Sequence, residues 1–227
     1  MTINSEVFMT IDRRNLLTGA GVLAAASLSK GANASKPQIR WKMALSWPSS
    51  LPGLGAGAVY LAKVVDEISE GEIQLEVIEP GAIVGPLEVF DAVSKGKVEC
   101  AHTASLYWSE KHPAISFFCN IPFGLNPTEM KSWLTSGDGQ KLWDELYAQF
   151  NLKSLPCGNS SYQMGGWYKK EIHHPKDFEN LKIRLVGAGA EVLKALGAKT
   201  VTLPGNKIYD ALKNGELDAA DWVGPYN

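Results

Sequence analysis

The sequence predicts an α/β protein folded as two similar lobes with a ligand cleft between them. Three observations predict it. Strand-like and helix-like stretches alternate along the chain, the pattern of mainly parallel sheets packed against helices. One helix–glycine–strand unit occurs twice, its copies about 119 residues apart, far beyond the period of a solenoid. The composition is that of an ordinary globular chain, with 227 residues, 45% hydrophobic content and a formal net charge of -2.

The first segment stands apart from this pattern. Asp12-Arg13-Arg14-Asn15-Leu16-Leu17 places two adjacent arginines before an uncharged, Ala- and Gly-rich run from Leu16 to Leu28. A bilayer-spanning helix needs about 20 apolar residues, so this run is too short to be one. Lys30 follows, then Ala32-Asn33-Ala34, an A-x-A cleavage signal. Residues 1–34 therefore read as a twin-arginine signal peptide, with the mature chain starting at Ser35 in the oxidising periplasm. The competing reading is a buried N-terminal helix. No later run approaches transmembrane length, and 35–227 reads as the two-lobed domain.

Ile39 to Ser46 is apolar and β-favouring, a strand broken by Pro48 and Pro52. Val59, Leu61, Ala62, Val65 and Ile68 then give a helix an apolar face, and Gly71 ends it. Ile73 to Ile78 alternates as a half-buried strand does. Leu87 to Ser94 is a short helix closed by Lys95-Gly96, and Val98 to Ala104 is a strand with a polar loop after it. Pro113 to Gly124 is an aromatic stretch expected in the core. Pro127 to Phe150 reads as a helical pair broken at Gly137-Asp138-Gly139. Leu152 to Leu155 and Met164 to Lys169 read as strands, and the lobes are expected to be joined by strands crossing near 152–186.

The repeat carries the most information. Val89-Phe90-Asp91-Ala92-Val93 runs through Gly96 and Val98-Glu99 to Ala101. Ile208-Tyr209-Asp210-Ala211-Leu212 runs through Gly215 and Leu217-Asp218 to Ala220 in the same register. Each copy follows a strand-like stretch and a Pro-Gly, Val77 to Gly81 in one and Val201 to Gly205 in the other. Ligands of such folds bind at the carboxyl ends of the strands. That puts Ala101-His102-Thr103-Ala104-Ser105 and Asp221-Trp222-Val223-Gly224-Pro225 at the cleft.

Two further segments supply polar groups. Gly158-Asn159-Ser160-Ser161-Tyr162-Gln163 is small and polar, and reads equally as a ligand-facing crossing or a solvated turn. Arg184 sits between Ile183 and Leu185 in a strand. A guanidinium on a buried face requires an anionic partner, and it matches a carboxylate with two parallel hydrogen bonds. A surface or structural salt bridge is the competing reading for Arg184.

Other chemistries find little support. The chain is slightly acidic with no basic cluster, which argues against nucleic acid. Cys100, Cys119 and Cys157 are an odd set without zinc spacing, so they make neither a disulfide scaffold nor a metal motif. His173-His174 precedes Pro175 in a polar turn. His102 could serve Ser105 as a base, but no acid at suggestive spacing completes a triad. Gly53, Gly55 and Gly57 do not form a dinucleotide fingerprint, and Gly187-Ala188-Gly189 is equally weak. Binding without turnover is the expectation.

Several stretches together resemble a known family: VFDAVSKGKVECAHTASLYW, IPFGLNPTEM, GNSSYQMGGWYKKEI, DFENLKIR and IYDALKNGELDAADWVGPY. They are similar to the solute-binding proteins of TRAP (tripartite ATP-independent periplasmic) transporters, and most similar to the α-keto acid-binding subgroup. The resemblance implies a two-lobed periplasmic-binding-protein fold, type II-like, that captures a small monocarboxylate such as pyruvate. Its implied partners are the membrane subunits of a TRAP transporter, with a homodimer for the full-length form. A binding protein of an ABC importer is the alternative on fold grounds alone. The resemblance implies that Arg184 grips the substrate carboxylate, with Asn159, Gln163, Thr103 and Trp222 around the substrate. It further implies a sodium ion beside the substrate, held at Gln163, Asp221 and Trp222. Asp221 stands where the subgroup usually has Glu, one methylene longer. Members continue past the position of Asn227, so the C-terminal part of the fold is expected to be missing from this chain.

The twin-arginine reading predicts an outcome in cells. Replacing Arg13 and Arg14 together by Lys should abolish delivery of mature protein to the periplasm, followed by fractionation. Undiminished periplasmic accumulation would refute that export route.

Overall fold

A computed structural model describes residues 38–225. The signal segment and its cleavage motif lie outside the described residues.

The first sheet has β1 (Ile39–Leu45) at its centre, with β2 (Ile73–Ile78) and β3 (Cys100–His102) parallel on either side. Helices α1 (Leu54–Ile68) and α2 (Val89–Ser94) make the crossovers. The two-residue period of β1 divides the core. Met43 and Leu45 pack with Ala58 of α1 and with Leu75 and Val77 of β2. Ala44 points the other way, into a cluster with Val89, Phe90, Val98, Trp108 and Ile115. The face of α1 differs from the sequence expectation. Gly55 and Ala58 are its buried residues, with Leu61 against the sheet, whereas Val59 and Ile68 are exposed. A small alanine lets the helix approach a three-stranded sheet too narrow to cover a wider apolar stripe. β3 is also shorter than Val98 to Ala104, because β1 ends at Leu45 and the last ladder partner is His102.

Two helices extend the larger core. Asn126 caps α3 (Pro127–Ser136) with a capping box to Glu129, and Pro127 occupies the first turn, where its missing N–H costs nothing. The chain breaks at Gly137-Asp138 and resumes in α4 (Gly139–Ala148). Phe118 lies stacked between Trp133 and Trp143, with ring centroids 5.5 and 5.3 Å away. The aromatic stretch before α3 is core only in part: Ile115 and Phe118 are buried, but Phe117 and Phe123 are exposed. Leu152–Leu155 is not a strand, since its backbone joins no ladder and Leu155 points to solvent.

The second sheet runs β4 (Trp167–Tyr168), β7 (Ala219–Ala220), β5 (Lys182–Arg184), β6 (Lys199–Val201). β5 is parallel to β6 and β7, and β4 is antiparallel to β7. Of the expected Met164–Lys169 strand, only Trp167–Tyr168 pairs with β7, a strand of two residues. Helices α5 (Ala188–Ala195) and α6 (Gly205–Lys213) connect the parallel strands. Ile183, Ala198 and Ala219 form this sheet's core.

The repeat is visible as structure. α2 and α6 each run into a glycine in the left-handed region, Gly96 at φ 67° and Gly215 at φ 78°. A buried residue follows, Val98 or Leu217, and then a short strand that joins its sheet in parallel. Both copies therefore end at the carboxyl edge of a sheet, where their loops carry Thr103 and Asp221.

Candidate functional site

Arg184 is the last residue of β5, and Asp221 directly follows β7. The two strands are hydrogen-bonded neighbours, and the Asp221 N–H donates to the Arg184 carbonyl at 2.8 Å. The Arg184 residue is only 2% exposed. Its Nε donates to the Leu203 carbonyl at 2.9 Å, and its Nη1 donates to the Asp221 carbonyl at 2.8 Å. The Asp221 carboxylate is 4.0 Å from Nη1. The Trp222 ring covers the guanidinium, 5.1 Å from centroid to Cζ. Nη2 is buried and has no hydrogen-bond partner among the described residues. Two of the five guanidinium N–H groups thus serve backbone carbonyls, and Nη2 and the second Nη1 N–H are left for other acceptors.

The first sheet reaches this group through the turn after β3, a 3-10 segment at Ser105–Trp108. A β-carbon on Gly187, just past β5, would lie 3.2 Å from Cβ of Leu106. Tyr107 comes close enough to Arg184 to feel its charge: burial raises the phenol's pKa, and the guanidinium opposes that rise. Trp47, just past β1, packs against Tyr107 with centroids 6.4 Å apart and edge-on against His102 at 5.5 Å. Behind them the Ser46 and Thr103 hydroxyls share a 2.6 Å hydrogen bond. His102 Nε2 donates to the Leu54 carbonyl at 3.0 Å, tying β3 to the start of α1.

Tyr107 and Trp47 escaped the sequence reading. The flagged loop stopped at Ser105, two residues short of Tyr107. Trp47 stands next to a proline that marked only the end of a strand. Asn159 and Gln163 sit in an exposed loop. Asn159 Oδ1 accepts from the Ser161 N–H at 2.7 Å, and Gln163 Nε2 donates to Ser160 Oγ at 3.3 Å. The Met164 N–H donates to the Val223 carbonyl, which sets Gln163 beside the segment that follows Trp222. The structure thus brings together Arg184, Asp221, Trp222 and Tyr107, bonds Thr103 to Ser46, and leaves Asn159 and Gln163 in an exposed loop bonded to their own neighbours.

Burial raises the Asp221 pKa, and Arg184 opposes the shift. A carboxylate in that position is short of positive partners. Among the described residues, no three His, Cys, Asp or Glu side chains gather as a metal cluster. A cation here would rest on one carboxylate with amide and carbonyl oxygens, a donor set that suits a hard ion. No helix among the described residues is long and apolar enough to cross a membrane.

Comparison with known proteins adds four findings. The family model described as bacterial extracellular solute-binding protein, family 7, matches residues 44–227. A monocarboxylate 2-oxoacid-binding periplasmic protein of Nostoc sp. is 41% identical over 223 residues, covering 95% of this chain and 61% of that protein. A TRAP periplasmic solute-binding protein from Pseudoalteromonas atlantica, solved with bound sodium and pyruvate, is 37% identical with a TM-score of 0.80. The alignment covers 84% of this chain and 57% of that one. Another from Colwellia psychrerythraea, solved with calcium and pyruvate, is 38% identical with a TM-score of 0.80 over 84% of this chain and 58% of that one. The chain therefore spans roughly three-fifths of the length of these relatives.

The packing of His102 predicts a pH effect. Desolvation lowers its pKa below the ordinary 6.5, partly offset by the bond to Leu54. The folded state then binds fewer protons than the unfolded state as pH falls below 6.5. This contribution to stability should be fully present above that value and decline below it. A His102→Gln variant should show a flatter profile of thermal midpoint against pH over that range. Parallel profiles for parent and variant would refute the assignment.

Proposed function

The chain belongs to family 7 of the bacterial extracellular solute-binding proteins, and from that premise we propose that it captures a small monocarboxylate, a 2-oxo acid such as pyruvate, in the periplasm for delivery to the membrane subunits of a TRAP transporter. The observation that carries this reading is Arg184, a cation at 2% exposure with Nη2 open. A ligand carboxylate at Nη2 would complete the pairing of a charge that is costly to bury unpaired. The Trp222 ring covers the guanidinium and the Tyr107 phenol interacts with it. Thr103, Asn159 and Gln163 are assigned to the substrate as well. The relatives named above, one of them binding 2-oxo acids and two holding pyruvate, support the choice of ligand.

The residues present also fit a cation beside the substrate. Asp221 supplies a half-buried carboxylate, with the Trp222 region and Gln163 next along the chain segments that meet there. Such an ion would supply positive charge to the substrate carboxylate. Sodium is the ion assigned, and sodium-coupled import is the role that follows from it. The family is one of binding proteins.

Arg184→Lys tests the grip. Lysine keeps the charge but cannot reach Leu203, Asp221 and the ligand with one planar fork. Pyruvate affinity by calorimetry should fall roughly 30-fold or more, the lower range for breaking a desolvated charge pair. Arg40→Lys is the control, since Arg40 is exposed at the start of β1 and bonds Gln74. Equal affinity for Arg184→Lys and its parent would make Arg184 structural.

The ion is tested separately. Pyruvate should bind more tightly in sodium buffer than in choline buffer of the same ionic strength. Identical titrations in the two would rule out a coupled sodium site.

A further inference from the structure

The Pro204-Gly205 pair before α6 recurs in the sequence repeat, yet the ligand reading gives it no task. The structure supplies one. A β-carbon built on Gly205 would lie 2.5 Å from Cη2 and 3.0 Å from Cζ2 and Cζ3 of Trp222. The indole's benzo edge therefore rests directly on the backbone of Gly205, with no room for a methyl group. The face of the same indole meets the Arg184 guanidinium. The residue two positions earlier, Leu203, gives its carbonyl to Arg184 Nε. One turn, Leu203-Pro204-Gly205, thus fixes both members of the pair: the guanidinium by an acceptor, the indole by an absent side chain.

Backbone conformation does not explain this glycine. Gly205 opens α6, and it is not among the glycines of positive φ. Alanine would fit that backbone and is the better helix former. What alanine lacks is space for Trp222. Pushing the ring away from Gly205 displaces it relative to Arg184, whose Nε and Nη1 are held by the Leu203 and Asp221 carbonyls.

We propose that Gly205 is a positioning residue that sets the Trp222 ring against Arg184, and so sets the geometry in which the open Nη2 meets a ligand. The ligand consequence rests on the functional reading above; the positioning does not. Gly205 acts through Trp222 and touches no substrate.

The test is a double-mutant cycle of Gly205→Ala and Trp222→Phe. Phenylalanine lacks the benzo edge that a β-carbon would strike. One readout needs no ligand: the Arg184 Nε–H proton resonance, which the current of the overlying ring displaces. Gly205→Ala should move that resonance and weaken pyruvate binding by about tenfold, as overpacking of a fixed site does. In the Trp222→Phe background the same substitution should change neither. A Gly205→Ala variant that fails to fold, with folding restored by Trp222→Phe, would support the contact equally. Parent-like resonance and affinity in Gly205→Ala, or equal losses in both backgrounds, would overturn the proposal. If the parent itself fails to bind pyruvate, the functional reading falls, and the Arg184 resonance alone decides the positioning.

Discussion

A full positive charge held almost out of water governs the second half of this structure. Arg184 sits at 2% exposure in the strand next to Ile183, which is fully buried. Desolvating a guanidinium costs several kcal/mol even after relaxation. Hydrogen bonds to a charged group return about 1.5–3 kcal/mol each, and an aromatic face up to about 2 when desolvated. Arg184 has two such bonds and one such face. These terms are of the size of the penalty, so the protein can hold the charge in place. Nη2 has no hydrogen-bond partner among the described residues, and the Tyr107 phenol is the side chain that approaches the guanidinium from the first sheet.

The topology explains why those partners are available. β7 lies beside β5 in parallel, so the strands end at the same edge, and the carbonyl after β7 falls next to the side chain that ends β5. β6 lies on the other flank, so the chain leaving it toward α6 brings the Leu203 carbonyl to Nε. The repeated helix–glycine–strand unit does the same for the first sheet, where the turn after β3 carries Leu106 and Tyr107 toward β5. Duplication of one unit gives a site with a cationic side and an aromatic side.

Much of this was legible in sequence, for identifiable reasons. β1 and β2 have β-favouring or alternating runs with breakers at both ends. The helical pair has its break in a Gly-Asp-Gly. Arg184 announced itself as a charge among apolar strand residues. What escaped was carried by atoms without a sequence signature. A backbone carbonyl accepting a hydrogen bond, as at Leu203 and Asp221, looks the same in every residue. The seat at Gly205 consists of a missing atom, and its significance depends on Trp222, 17 residues later in the chain. Leu152–Leu155 had a strand's composition but found no ladder, because strand propensity describes a surface that a neighbour must complete.

Charge counting bears on the choice of ion under the proposed reading. Among the described residues, the site holds one guanidinium and, when Asp221 is ionised, one carboxylate 4.0 Å away. A monocarboxylate arriving at Nη2 would leave this half-buried region with a net charge of minus one, and two carboxylates competing for one cation. That excess is expensive at low effective dielectric, and the upward pressure of burial on Asp221 already shows the strain on the negative side. Two remedies exist. Asp221 can take up a proton, which would make ligand binding favour acidic pH. A cation can enter instead, and a monovalent ion brings the count to zero whereas a divalent ion overshoots by one. With Asp in place of a longer acidic side chain, the carboxylate stays within reach of Arg184, which favours the smaller compensating charge. Under the proposed reading the charges of Arg184 and Asp221 are matched by a monovalent cation, as in the relative solved with sodium and pyruvate, whereas another relative holds calcium with pyruvate.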